Sequence, residues 1–272
     1  MSLCIAAKCI SKSGGPRILL CCDAKVSTDT VSGETLGKVI NLGRFQILIA
    51  GVVSGAIELA DIYREHLSEV ALTPENILEQ LRVPPRIKKQ RMIEALVEST
   101  LGISYDEFRN SDDNKIDASV RNKLWSAIHD MTLGVELIIT GFLEEKLPLI
   151  FRLAWDEVER CSPFACIGSG TSAAEHSLYR RKQLWWMGVW PTIYHIWEAK
   201  KFGELSPTVG QMTYLFIVKP DAKEGARCEI IPDVPMYQFL DEQYALYGPQ
   251  AVPDAAPGIN QEIYFRDHGL VG

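Results

Sequence analysis

Three places along the 272-residue chain carry side chains whose type and setting could do covalent chemistry. The first is the amino terminus, MSLCIAAKCI, where Ser2, Cys4, Ala6 and Lys8 alternate with Leu3, Ile5, Ala7 and Cys9. That period of two predicts a strand beginning at residue 2, with a hydroxyl and a thiol on the same side of it. The second place is a pair of charges set inside apolar strand sequence, Asp23 in ILLCCDAK and Lys38 in GKVINL. Burying a charge costs desolvation, so such residues favour a site over decoration, the plainer reading being a structural ion pair. The third is FACIGSG, where Ser169 stands between two glycines. Its hydroxyl either enters a site or caps the helix that follows, with the glycines serving a tight strand-to-helix turn. A hydroxyl or thiol becomes a nucleophile only when a nearby base takes its proton. Of the two candidates at the amino terminus, Cys4 reads better as a buried structural thiol.

Other reactive groups point nowhere in particular. The histidines, His66, His129, His176, His195 and His268, fall on different predicted elements with no triad spacing. The seven cysteines are odd in number and sit mostly in apolar runs, the pattern of buried, reduced thiols in a cytosolic protein. No C-x-x-C or Cys/His spacing suggests zinc, and neither a metal nor a cofactor is expected. A formal net charge of -7 argues against nucleic acid or an anionic membrane as the main partner. No apolar run reaches the roughly 18 residues of a membrane span and no secretory signal is visible, so a cytoplasmic location is expected. The aromatic LWWMGVW reads as core or subunit interface in preference to a ligand surface, and RIKKQR as a solvated helix face.

The elements that must position these groups follow in order. Strands ending in glycine turns fill the first third: the opening strand, ILLCCDA, KVINL and FQILIAG. Helical spacing occupies most of 56–132, with Thr73 as an N-cap, Pro84–Pro85 as a break, and a helix carrying Leu124, Ile128 and Met131 on its apolar side. Strands return in VELIITGF, PLIFRLAW and FACIGSG, then two helices, then TYLFIV and CEIIPD. Short turns between consecutive strands permit antiparallel pairing and forbid parallel pairing. The prediction is an α+β protein, a four-layer αββα sandwich with an extended helical insertion, at about 71–132, between two β blocks. One domain is expected over 1–233, followed by a Pro-rich irregular tail over 234–272.

The segments SLCIAAK, ILLCCDAKVST, GKVINLG, ILIAGVVSGAIELADIY, ELIITGF and IGSGTSAAEHSLYRR resemble, in order and spacing, the proteasome β-subunit-like N-terminal-nucleophile (Ntn) hydrolases, and among them the bacterial proteasome homologues. The resemblance implies that, after removal of Met1, Ser2 is the nucleophile and its own α-amine the base. An α-amine has a pKa near 8, close to working pH, and a neighbouring ammonium favours its neutral form and steadies the alkoxide. It further implies Asp23 and Lys38 as the pair beside the nucleophile, Gly51 as the oxyanion donor and Ser169 near the amine, with Lys25 and Ser206 as secondary candidates. Serine stands where the family has threonine, Val52 replaces a glycine, and Gly203 stands at a family aspartate with Glu204 one place away. The expected activity is cleavage of peptide bonds inside a self-compartmentalised homo-oligomer, ring or stack, whose unfoldase partner is unknown. The alternatives are a non-catalytic structural or binding subunit and a small-molecule amidohydrolase.

Overall fold

The amino-terminal strand is buried on both faces, and the fold is built around it. The computed structural model describes residues 2–27, 32–34, 38–111, 116–143, 147–221, 225–231 and 234–248. Within them the first β block comprises β1 (Leu3–Ile10), β2 (Pro16–Asp23), β3 (Lys25–Ser27), β4 (Ser32–Glu34), β5 (Val39–Leu42) and β6 (Phe45–Gly51). Four helices follow: α1 (Val53–Glu69), α2 (Ile77–Leu101), α3 (Tyr105–Asn110) and α4 (Ala118–His129). The second β block is β7 (Val135–Leu143), β8 (Leu147–Ala154), β9 (Glu157–Cys161) and β10 (Phe164–Gly168). The chain then runs through α5 (Thr171–Arg180), α6 (Val189–Gly203), β11 (Thr213–Asp221), β12 (Gly225–Ile230) and α7 (Val234–Tyr247).

The protein is α+β, with two five-stranded antiparallel sheets ordered β10-β1-β2-β11-β12 and β5-β6-β7-β8-β9. Alternation along β1 divides its side chains between two cores. Leu3, Ile5, Ala7 and Cys9 pack with α5, α6 and α7, while Cys4 and Ala6 pack with Leu48, Ala50, Ile138 and Ile150 of the other sheet. Each fully buried Leu or Ile here contributes about 1.5–3 kcal/mol over its exposed state, so β1 is anchored by both faces. The second sheet rests its other face, through Ile47, Ile49, Leu137 and Ile139, on Leu59 and Tyr63 of α1 and Leu81 of α2.

Four local expectations are corrected. The proline pair does not break the helix: α2 runs through Pro84 and Pro85, both buried. Pro85 has no N–H for the carbonyl of Leu81, and the Tyr63 hydroxyl donates to that carbonyl instead, at 2.8 Å. Asn76, not Thr73, caps α2, after a turn in which the two residues exchange backbone–side-chain hydrogen bonds. The short helix α3 was not anticipated, although Ser104 and Glu107 form a capping box that is visible in the sequence. The tail expected to be irregular from Val234 begins as α7, whose Met236 and Leu240 join the core and whose Tyr237 stacks on Trp197 at 5.3 Å. The rest of that tail lies outside the described residues.

Candidate active site

β1, β2 and β10 bring the first candidates together. Leu3 pairs with Gly168 across β1 and β10, and the residues just beyond that pair, Ser2 and Ser169, line the same cavity. Gly168 has φ +96°, and a Cβ built on it would lie 2.0 Å from the Ser2 carbonyl oxygen, so only glycine allows β10 to close against Ser2. Ser2, Gly51 and Ser169 line one cavity of about 350 Å³, together with Thr132, Glu136, Trp155 and Asp156 among others. Ser2 is buried at the base of this cavity.

Asp23 anchors the site from behind. Its Oδ1 accepts from the Leu3 N–H at 2.9 Å and from Lys38 Nζ at 2.6 Å, and its Oδ2 accepts from the Gly210 N–H at 2.8 Å. Both charged side chains are buried, and one carboxylate thereby holds the start of β1, the ammonium and a third segment in one arrangement. Neighbouring thiols feel the same burial. The Cys22 thiol is pushed up to about 12, mainly by desolvation and partly offset by Lys38. The Cys4 thiol is raised well above its ordinary value by burial, and its Sγ donates to the Ile49 carbonyl in the inter-sheet core. It is a structural thiol buried between the sheets and is not among the residues lining the cavity.

Gly51 ends β6 with φ +97°, and a Cβ there would stand 2.6 Å from the Gly134 carbonyl. Ser169 Oγ lies 2.6 Å from Thr208 Oγ1, which lies 2.8 Å from Ser206 Oγ, so Ser206 reaches Ser169 through Thr208. Gly203 presses on β1: a Cβ at that position would fall 2.3 Å from Leu3 Cδ2, which leaves no room for an acidic side chain. Glu204 is occupied elsewhere, by Lys200 Nζ at 2.5 Å. Lys25 lies on β3, and its side chain is outside the described residues, as is Met1.

Sequence reasoning missed five participants. Lys200 is fully buried, donating to Glu204 and, at 2.7 Å, to the Gly210 carbonyl. Thr208 joins the hydroxyls. Glu136 lines the cavity and accepts from the Gly168 N–H at 2.7 Å, and its signal was available as a lone acid near the head of an apolar strand. Trp155, 87% exposed, and Asp156 form the β8–β9 turn at the cavity wall, both with positive φ. Asp156 is held there by the Leu133 N–H and by Lys89. His195 is buried within the α6 core layer, bonded to Gln183 and lowered to about 4 by burial and by Arg181, so it is neutral and structural. Among the described residues, no group of His, Cys, Asp and Glu side chains could hold a metal ion. No helix among them is long and apolar enough to cross a membrane.

Comparison with known proteins places the fold. The chain is similar to the structure of an Anbu (Gly-1) mutant from Hyphomicrobium sp. strain MC1, with 15% identity, a TM-score of 0.57 and coverage of 90% of this chain and 94% of that one. It is likewise similar to Anbu (ancestral beta-subunit) from Yersinia bercovieri, with 11% identity, a TM-score of 0.58 and coverage of 90% and 93%. No family model matches the chain, and no curated protein matches it. The sequence resemblance to the proteasome β-subunit-like family is corrected accordingly. Without a family or curated match, and at 11–15% identity to these structures, the likeness is one of fold alone. The physical reason is that the segments carrying the resemblance are mostly buried strands and glycine turns, and burial in two packed sheets selects those residue types whatever the ancestry.

Proposed function

We propose that the chain hydrolyses peptide bonds with Ser2, exposed as the first residue by removal of Met1, acting as an amino-terminal nucleophile. The observation that carries the reading is the Asp23 anchor: one buried carboxylate fixes the Leu3 N–H and the Lys38 ammonium behind a cavity lined by Ser2, Gly51 and Ser169. In this reading the α-amine takes the Ser2 Oγ proton as Oγ attacks the carbonyl carbon, and the carbonyl oxygen gains negative charge opposite the Gly51 N–H. Lys38 keeps the amine neutral and steadies the alkoxide. The C–N bond then breaks, the amine's proton passes to the leaving nitrogen, and water hydrolyses the resulting ester. Ser169 and Ser206 act beside the amine.

The wider arrangement accompanies the proposal. The cluster between the sheets and the clusters under each helical layer support a four-layer αββα organisation, with residues up to 233 as one domain and about 71–132 as its insertion. A homo-oligomer, ring or stack, enclosing the sites is proposed on the fold likeness to a protein described as an ancestral beta-subunit. The test is intact mass of the purified protein before and after a peptide epoxyketone, which joins to both a hydroxyl and the adjacent free amine. Loss of Met1 and one adduct on Ser2 sustain the proposal. Retained Met1 and no adduct overturn it in favour of a non-catalytic subunit.

A further inference from the structure

We infer that Thr208 is a positioning residue of the site, the middle of a neutral hydroxyl chain, Ser206–Thr208–Ser169, that orients Ser169 beside the Ser2 amine. The inference rests on the proposed role of Ser2. Its geometry is local: Thr208 Oγ1 lies 2.6 Å from Ser169 Oγ and 2.8 Å from Ser206 Oγ, and Ser169 lines the same cavity as Ser2, each one residue beyond the Leu3–Gly168 pair of β1 and β10. The segment that carries Thr208 is pinned at both ends. At its start, Glu204 binds Lys200, and the Ser206 N–H donates to the Gly203 carbonyl. At its end, Gly210 donates its N–H to Asp23 and accepts from Lys200 through its carbonyl. Between them the Val209 N–H donates to the Ser206 carbonyl, and the Val209 side chain is sunk in the core against Gly170. Asp23 therefore fixes both the nucleophile's strand and the hydroxyl chain, so the two are held in one frame.

The charge state matters as much as the placement. A carboxylate at this point would favour the ammonium form of the α-amine and leave less free amine to take a proton at working pH. The one carboxylate of the segment, Glu204, is neutralised by Lys200, and a threonine hydroxyl, which both donates and accepts, stands next to Ser169 instead. Ser169 can then donate toward the amine or accept from it as the proton moves.

The experiment compares the chain beginning at Ser2 with T208V, T208S and T208D. Two readouts are taken: steady-state cleavage of amide substrates, and the pKa of the Ser2 α-amine from the pH dependence of its acylation rate, followed by mass spectrometry. T208V keeps the volume and removes the hydroxyl, and it should lower kcat about tenfold with KM little changed, the worth of one oriented hydrogen bond. T208S should restore most of that loss. T208D should raise the amine pKa by about one unit. An unchanged kcat in T208V, or an unchanged amine pKa in T208D, overturns the inference. Should the parent chain cleave no amide at all, the proposed function fails, and the amine titration still decides the placement: an upward shift in T208D sustains it and no shift overturns it.

Discussion

Replacing Lys38 with methionine leaves the Asp23 carboxylate, fully buried, with two backbone N–H donors and no counter-charge. Removing one partner of a buried ion pair costs about 3–5 kcal/mol, because the remaining charge has lost its access to water. Asp23→Asn inflicts the complementary damage. Lys38 loses its partner, and the new amide must turn its NH2 group, a donor, either toward the Gly210 N–H or toward the Leu3 N–H and Lys38. Each single variant is expected to lose about 3–5 kcal/mol. In the double variant D23N/K38M neither charge of the pair is left, so the total loss falls short of the sum by at least about 2 kcal/mol. Urea unfolding followed by circular dichroism, analysed at a common m value, measures the cycle. In a chain of this size each single variant should lower Tm by about 6–20 °C, at about 2–4 °C per kcal/mol. Additivity within about 0.5 kcal/mol would refute the reasoning. It would mean that water already screens the pair and that Asp23 is not the anchor described above.

Three further outcomes follow from the same structure. Gly168→Ala should displace the Ser2 carbonyl, since its Cβ would lie 2.0 Å from that oxygen, and abolish epoxyketone labelling of Ser2; unaltered labelling would show that β10 yields easily. His195, lowered to about 4 by burial and Arg181, takes up its proton in the unfolded chain near 6.5 but in the folded chain only near 4, so the stability it permits is complete above pH 6.5 and is lost as pH falls toward 4. His195→Gln should therefore flatten the stability profile across that window in urea titrations, and an identical slope in the variant would contradict the assignment. Glu136 and Asp156 give the cavity an acidic wall, so substrates bearing lysine or arginine beside the scissile bond should be cleaved faster than acidic ones, with Glu136→Gln reducing the difference several-fold; a panel of fluorogenic peptides with no charge preference would dismiss this.

How much of this was legible beforehand depended on whether the cause was local. The alternation that makes β1 a strand is a property of consecutive residues, and so is the glycine-bounded turn at Gly168–Gly170. Asp23 and Lys38 were visible because a charge inside an apolar run is anomalous wherever the run ends up. The capping box of α3, Ser104 with Glu107, is equally local. Pro84 and Pro85 misled because their tolerance is decided by a hydroxyl from α1, Tyr63, eighteen residues or more away along the chain. Lys200 and Thr208 had no local signal. WEAKKFGEL reads as the ordinary polar end of a helix, and only the packing of α6 on β1 and β2 puts Lys200, not Lys201, under the site.

The sequence by itself therefore determined most of the elements, α3 and α7 apart, their order and the buried charges of Asp23 and Lys38, because strand alternation, helix spacing and the cost of a buried charge act within a few residues. The tertiary structure alone decided which hydroxyls meet. Ser169 and Thr208 are 39 residues apart, and Asp23 reaches Gly210 across 187. Such contacts exist only once β1 lies between β2 and β10 and α6 covers that sheet, since no short-range preference of the chain records which distant segment will supply a donor to a buried carboxylate.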